Sequence, residues 1–199
     1  MRRKLRGFIA LMAAAFLLLG VAVAASEAPK AESLDAARGA EARIEVDLSD
    51  RKLRTKLGDE TVATYSIAIG KEGHRTPTGA FRIRRIVWNP SWTPPDSEWA
   101  RDKRPTPPGD PDNPMGRVKI FFAEPDYYIH GTSDAGSIGR AASHGCIRMT
   151  NDAVVEVARF VMENGGEPRD PGWFRRILNR VRDTREVRLS KPVPIRISA

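Results

Sequence analysis

The sequence predicts a mainly β domain, a β-sandwich or barrel with one or two helices packed against it. Three observations carry that expectation. Apolar and polar residues alternate with period two in several short runs, turn-forming residues cluster between those runs, and helical periodicity after the N-terminal region first appears near Thr150. The 199 residues suffice for one domain with a sizeable core, and no internal repeat is visible.

Taken in order, Arg2, Arg3, Lys4 and Arg6 open a basic start, an uncharged apolar run follows from Gly7 to Ala25, and small residues lead into Ser26. That layout predicts a secretory signal peptide over residues 1–25, with an uncleaved anchor as the alternative because the run approaches the length of a bilayer span. Either way the remainder is placed outside the cytoplasm. Residues 26–42 are alanine-rich, polar and free of aromatic side chains, which predicts a flexible tether ahead of a domain at 43–199.

Ile44, Val46 and Leu48 then alternate with Glu45 and Asp47, the pattern of a half-buried strand. Further strands are predicted at Lys52 to Leu57, Thr61 to Ile69, Ala80 to Trp88, Val118 to Ala123 and Asp126 to His130, separated by turn signals such as Gly58-Asp59 and Thr76 to Gly79. Residues 89–114 interrupt this rhythm. They hold eight of the chain's fifteen prolines together with Trp92 and Trp99, and the tryptophans favour an ordered flap over a disordered insertion. Thr150 can cap a helix whose apolar face carries Val154, Val157, Ala158 and Val161 before Gly165-Gly166 end it. A second helix is predicted from Asp170-Pro171 to about Arg182. Val187 to Ile197 reads as a closing strand, and Pro192 and Pro194 assign it to an edge.

The formal charge of +8 includes four positives in the leader, which leaves a mild excess of +4 on the rest. Such a surface suits an anionic cell wall or lipid headgroups, and equally a solvated basic face. No nucleic-acid module is legible, so no nucleic-acid partner is expected, and contact with a membrane is expected only through the leader.

Cys146 is the chain's only cysteine. An exported chain ordinarily pairs its cysteines, so a lone one is a buried small hydrophobe, an intermolecular bridge or a working thiol. Its neighbours favour the last, since Ser143, His144 and Arg148 are polar and Gly145 leaves the adjoining backbone uncovered. A nucleophilic thiol needs a base, and the chain offers only His74, His130 and His144. His144 lies two residues from the thiol, His130 ends a predicted strand before a flexible turn, and His74 sits exposed in a turn. His130, His144 and Cys146 also admit a weaker reading as three zinc ligands, although no common histidine-rich zinc motif is present.

The stretch IHGTSDAGSIGRAASHGCIRM, from Ile129 to Met149, resembles the signature of the L,D-transpeptidase catalytic domain, or YkuD domain, of the ErfK/YbiS type. RTPTGAFRI from Arg75, NPSWTPP from Asn89 and PDNPMG from Pro111 are similar to segments that flank the active site in that family. The resemblance implies an L,D-transpeptidase fold and a cysteine acyltransferase, with Cys146 as nucleophile and His130 as its proton acceptor and donor. Gly131 would orient the imidazole through its carbonyl. Ser143, His144, Gly145 and Arg148 would supply oxyanion and substrate contacts, with Trp92 and Trp99 on the flap. It further implies peptidoglycan stem peptides as substrates, a wall-anchored lipoprotein as one potential acceptor, and neither metal nor organic cofactor.

Overall fold

A computed structural model of the chain describes residues 41–199. The leader and most of the tether expected from the sequence lie outside these residues. Ten strands and two helices are described: β1 (Ala42–Asp47), β2 (Lys52–Leu57), β3 (Glu60–Ser66), β4 (Ile69–Gly70), β5 (Gly79–Trp88), β6 (Val118–Ala123), β7 (Tyr127–Thr132), β8 (Ala141–Ser143), β9 (Ile147–Thr150), α1 (Asn151–Asn164), α2 (Pro171–Asn179) and β10 (Arg185–Ser198). Among the described residues no helix is long and apolar enough to cross a membrane.

Eight strands form one sheet in the order β3-β2-β1-β10-β5-β6-β7-β9, and β4 pairs with β8 in a separate two-stranded ribbon. Two tight turns start the sheet. Asp47 accepts hydrogen bonds from the Ser49 hydroxyl and the Asp50 amide between β1 and β2, and Gly58-Asp59 joins β2 to β3. The sheet then curls until its ends nearly meet: Ala68 and Arg148 exchange two backbone hydrogen bonds of 2.9 Å each, tying the chain beyond β3 to β9. The result is a nearly closed, barrel-like sheet with two helices. That matches the mainly β architecture the alternation predicts.

Period two, interrupted once in β5 by the register shift between Ile83 and Arg85, decides which side chains enter the barrel. Ile44, Val46, Leu53, Ile83, Ile86, Ile120, Ile129, Ile147 and Met149 point inward and are buried. Helix α1 lays Val154, Val157, Ala158, Val161 and Met162 against them, each fully buried. At about 1.5–3 kcal/mol for each large apolar side chain removed from water, this interior is the main source of stability. Thr150 caps α1 as the sequence predicts, its hydroxyl accepting from the Ala153 amide. Trp88 is fully buried, donates its indole N–H to the Met162 sulfur at 3.3 Å, and meets Trp173 and Phe174 of α2 at ring-centroid separations of 5.6 Å.

Two expectations need correction. Helix α2 starts at Pro171 after the Asp170 cap but stops at Asn179 rather than near Arg182. The amide of Asn89, held at a φ of 45°, donates to the carbonyls of Ile177 and Arg180 at 2.8 and 3.1 Å, so a side chain from a distant loop takes the place of another helical turn. The closing strand is also no edge: β10 lies between β1 and β5. Its prolines are accommodated because Pro192 falls in a register shift between Arg188 and Val193, and Pro194 precedes Ile195, the first residue paired with β1.

Candidate active site

The residues that alternate with the core-facing isoleucines lie on the outer face of the same strands, and there the register assembles a site. Lys119 of β6 stands opposite His130 of β7, and His130 stands opposite Arg148 of β9. One step along, Phe121 faces Tyr128, with Cys146 at the entrance to β9 beside them. Because Ile120, Ile129 and Ile147 point inward, Lys119, Tyr128, His130, Cys146 and Arg148 share a face by necessity. They line one groove of about 970 Å³, to which Ser143 and His144 also contribute.

Residues 89–114 form one wall of this groove. Trp92 exchanges backbone hydrogen bonds of 2.9 Å with Thr106, and the Asn113 side chain donates to the carbonyls of Pro90 and Pro107 while accepting from the Met115 amide. This network makes the proline-rich segment a folded piece of the domain. Trp92 is buried, whereas Trp99 is 38% exposed and stacks on the His144 ring with centroids 3.9 Å apart and planes 8° from parallel. His74 is exposed as expected, and its ring also meets His144 edge-on at 4.7 Å. His144 is therefore committed to a stack with the covering segment.

His130 is 3% exposed and its Nδ1 lies 2.7 Å from the Gly131 carbonyl. Burial pushes its pKa down to about 3; the bond to the Gly131 carbonyl acts in the opposite sense, and the charges of Arg148 and Lys119 lower it further. The ring is thus neutral near physiological pH, with Nδ1–H donating to Gly131 and Nε2 carrying the lone pair. Gly131 has a packing reason to be glycine, since a Cβ there would lie 2.3 Å from the Asn151 side-chain oxygen.

Cys146 is free and half-buried, with its sulfur 3.4 Å from the Asp126 carbonyl oxygen. Burial pushes the thiol pKa up, and the amide and hydroxyl of Tyr128 together with the charges of Lys119 and Arg148 pull it partly back. The resting pair is a thiol and a neutral imidazole. Ser143 shapes the loop before the sulfur by donating to the Cys146 carbonyl at 2.6 Å and accepting from the Gly145 amide at 3.1 Å. Gly145 has a φ of +113°, and a Cβ on it would come within 2.9 Å of the Tyr127 ring. Arg148 makes a long contact of 3.8 Å to the exposed Asp134.

The structure thus gathers Cys146, His130, Ser143, His144 and Arg148 at one groove, with Trp92 and Trp99 on its covering wall. Among the described residues no three His, Cys, Asp or Glu side chains come together as a metal site. Sequence reasoning passed over Tyr128, Lys119 and Asp126. Period two in DYYIH already sets Tyr128 on the face of His130, but the partnership with Lys119 depends on strand register, which the sequence does not display.

A free thiol and a buried imidazole thus share a groove on the outer face of a small barrel, walled by a folded loop. Residues 41–193 match the L,D-transpeptidase catalytic domain, YkuD, and the chain belongs to that family. It is 38% identical over 119 residues to YkuD of Bacillus licheniformis, covering 60% of this chain and 59% of that protein. To YbiS of Escherichia coli it is 36% identical over 104 residues, covering 49% of this chain and 34% of the relative. The chain spans only about a third to three-fifths of the length of these curated relatives. Among solved structures, the catalytic domain of the E. faecium L,D-transpeptidase aligns with a TM-score of 0.50 at 16% identity, covering 79% of this chain and 97% of that one. The Ldtfm–avibactam carbamoyl enzyme aligns at 0.52 and 16%, covering 80% and 49%. At such identity these likenesses establish the fold.

Proposed function

We propose that the protein is an exported cysteine L,D-transpeptidase acting on peptidoglycan stem peptides. The observation that carries this reading is the pairing of β6, β7 and β9, which sets a buried imidazole and a free thiol on one face of one groove. Cys146 Sγ attacks the carbonyl preceding the terminal D-alanine of a tetrapeptide donor, and its proton passes to His130 Nε2. Collapse of the tetrahedral intermediate breaks the peptide bond, the departing amine takes the proton from His130, and a thioester remains. An amine from a second stem peptide, or from a lysine of a wall-anchored lipoprotein, then attacks the thioester, gives a proton to His130 and restores the thiol.

Nδ1 bonded to Gly131 keeps Nε2 as the accepting nitrogen throughout. Because the Gly145 amide is engaged by Ser143, the oxyanion is assigned to the amides of His144 and Cys146, with Ser143 and Gly145 holding the loop in shape. Arg148, Lys119 and Lys103 give the groove positive charge suited to the carboxylates of a stem peptide. The segment carrying Trp92 and Trp99 serves as a flap that keeps water from the thioester. In this reading the N-terminal leader directs export, and the enzyme works in the periplasm or in association with the cell wall.

Incubation of the purified protein with a disaccharide-tetrapeptide, followed by mass spectrometry, tests the reading. Cross-linked dimer from the wild type and none from Cys146→Ala is the expected result. Tripeptide without dimer assigns a hydrolase, and turnover by Cys146→Ala overturns the role of the thiol.

A further inference from the structure

One cation of the groove, so far given only a share in its overall positive charge, stands next to the reacting thiol's own neighbours. Lys119 is half-buried on β6, and among the described residues no carboxylate is paired with it. Its ammonium instead lies over the Tyr128 ring, 4.8 Å from the centroid, and donates to the Ser91 carbonyl of the covering segment at 3.4 Å. An ammonium among apolar surroundings is costly unless something answers its charge. The aromatic face answers part of it, and the Cys146 thiol, which can acquire a full negative charge, lines the same groove.

Tyr128 is positioned to connect the two. Its ring is fixed on three sides, by Phe121 at 5.2 Å, by His130 at 5.6 Å and by Lys119. It occupies the β7 position beside Cys146 in the parallel β7–β9 pair, one step before the Ile129 and Ile147 partners. The remaining charged or titratable groups around the thiol are Arg85 from β5, Tyr127 and His130 from β7, Arg148 from β9, Asp126 before β7, His144 beside it, and Lys103 and Asp112 from the covering segment. Arg85 is bound to Glu124 and Glu186, and Arg148 contacts Asp134, so both of those cations already have acidic partners.

We propose that Tyr128 is a further catalytic residue and Lys119 its positioning partner: the phenol donates a hydrogen bond to the Cys146 sulfur, and the ammonium on the ring face strengthens that donor. Withdrawal of π-electron density toward the ammonium polarises the O–H bond, so the phenol stabilises a thiolate better than it stabilises a thiol. The phenol stays protonated because burial, followed by the adjacent sulfur charge, pushes its own pKa up. It therefore remains a donor while the thiolate forms and again while the thiolate leaves. The imidazole accepts the proton, and the Tyr128–Lys119 pair holds the electrons left behind.

This inference rests on Cys146 being the nucleophile, but its test needs no peptide substrate. The rate of iodoacetamide alkylation of Cys146 is measured against pH for the wild type, Tyr128→Phe, Lys119→Met and Lys119→Arg, each checked for folding by its thermal melt. The alkylation midpoint should rise by about 0.5–1 unit in Tyr128→Phe and in Lys119→Met, a three- to tenfold loss of rate near neutral pH, with the wild-type profile largely restored in Lys119→Arg. Lys119 also acts on the sulfur through its own charge, so Lys119→Met is repeated in the Tyr128→Phe background, or in Tyr128→Leu if the first does not fold: a shift that shrinks there runs through the phenol, and one that persists in full overturns the relay. Midpoints that do not move overturn the proposal, and so does a lower limiting rate at high pH with an unchanged midpoint, which would assign the two residues to access alone. Failure of the dimer assay with these shifts intact would count against the transpeptidase reading and leave the polarising pair standing.

Discussion

His130 has given up basicity for position. Its pKa of about 3, against an ordinary 6.5, means that between those values an unfolded chain binds a proton the folded chain refuses. Stability therefore falls as the pH drops through that window and gains nothing from this residue above it. Urea midpoints should decline between about pH 6.5 and 3, and a folded His130→Gln variant should show a shallower decline; parallel curves would contradict the neutral imidazole. Gly145 is equally constrained, by a positive φ and by the Tyr127 ring. Gly145→Ala should cost about 1–3 kcal/mol in denaturant melts and slow acylation of Cys146 by a carbapenem at least tenfold, because the sulfur and its neighbouring amides move with that loop.

At the scale of elements, the proline-rich segment is held by side chains more than by secondary structure. Asn89 binds the end of α2, Asn113 binds Pro90 and Pro107, and Trp99 leans on His144. Asn89→Ala should destabilise the fold by about 1–3 kcal/mol, since it leaves buried carbonyls without a donor, and a chemical melt reads this directly. Trp99→Ala should leave the melt nearly unchanged while raising hydrolysis relative to transfer, measured as the tripeptide-to-dimer ratio. An unchanged ratio would remove the water-excluding role of the flap.

Elements were legible in the sequence where local rules decide them. Alternation fixed β1, β2, β5 and β6 within a residue or two, and Thr150 and Gly165 marked both ends of α1. Strands β8 and β9 escaped notice because three or four residues around Ser143-His144-Gly145 carry no period; they are strands only because β4 and β7 offer them partners. The same reason hid Tyr128 and Lys119. A thiol, a histidine and a glycine announce chemistry by type, whereas a phenol and an ammonium gain it from register alone.

The molecule as a whole depends on a nearly closed seam. Ala68 and Arg148 are joined by two reciprocal backbone bonds, and the next residue, Met149, is part of the core while Arg148 itself lines the groove. Replacing the fully buried Ala68 with proline removes one of those bonds and disturbs the other. Ala68→Pro should lower stability by about 3 kcal/mol or more and depress Cys146 reactivity in parallel, read by a melt and by carbapenem labelling of the same sample. Loss of stability with full labelling would show that the groove does not depend on the seam.

The strict alternation along β7 and β9 has a consequence for how such a site can change. Inward Ile129 and Ile147 belong to packing and outward His130 and Arg148 to the groove, so the outward set can be exchanged without touching the interior. The two sets are nevertheless written on one thread, a single residue out of phase. Deleting one amino acid between Tyr127 and Ile129 would not trim the site but turn it inside out, sending the imidazole into the oil and an isoleucine into the groove.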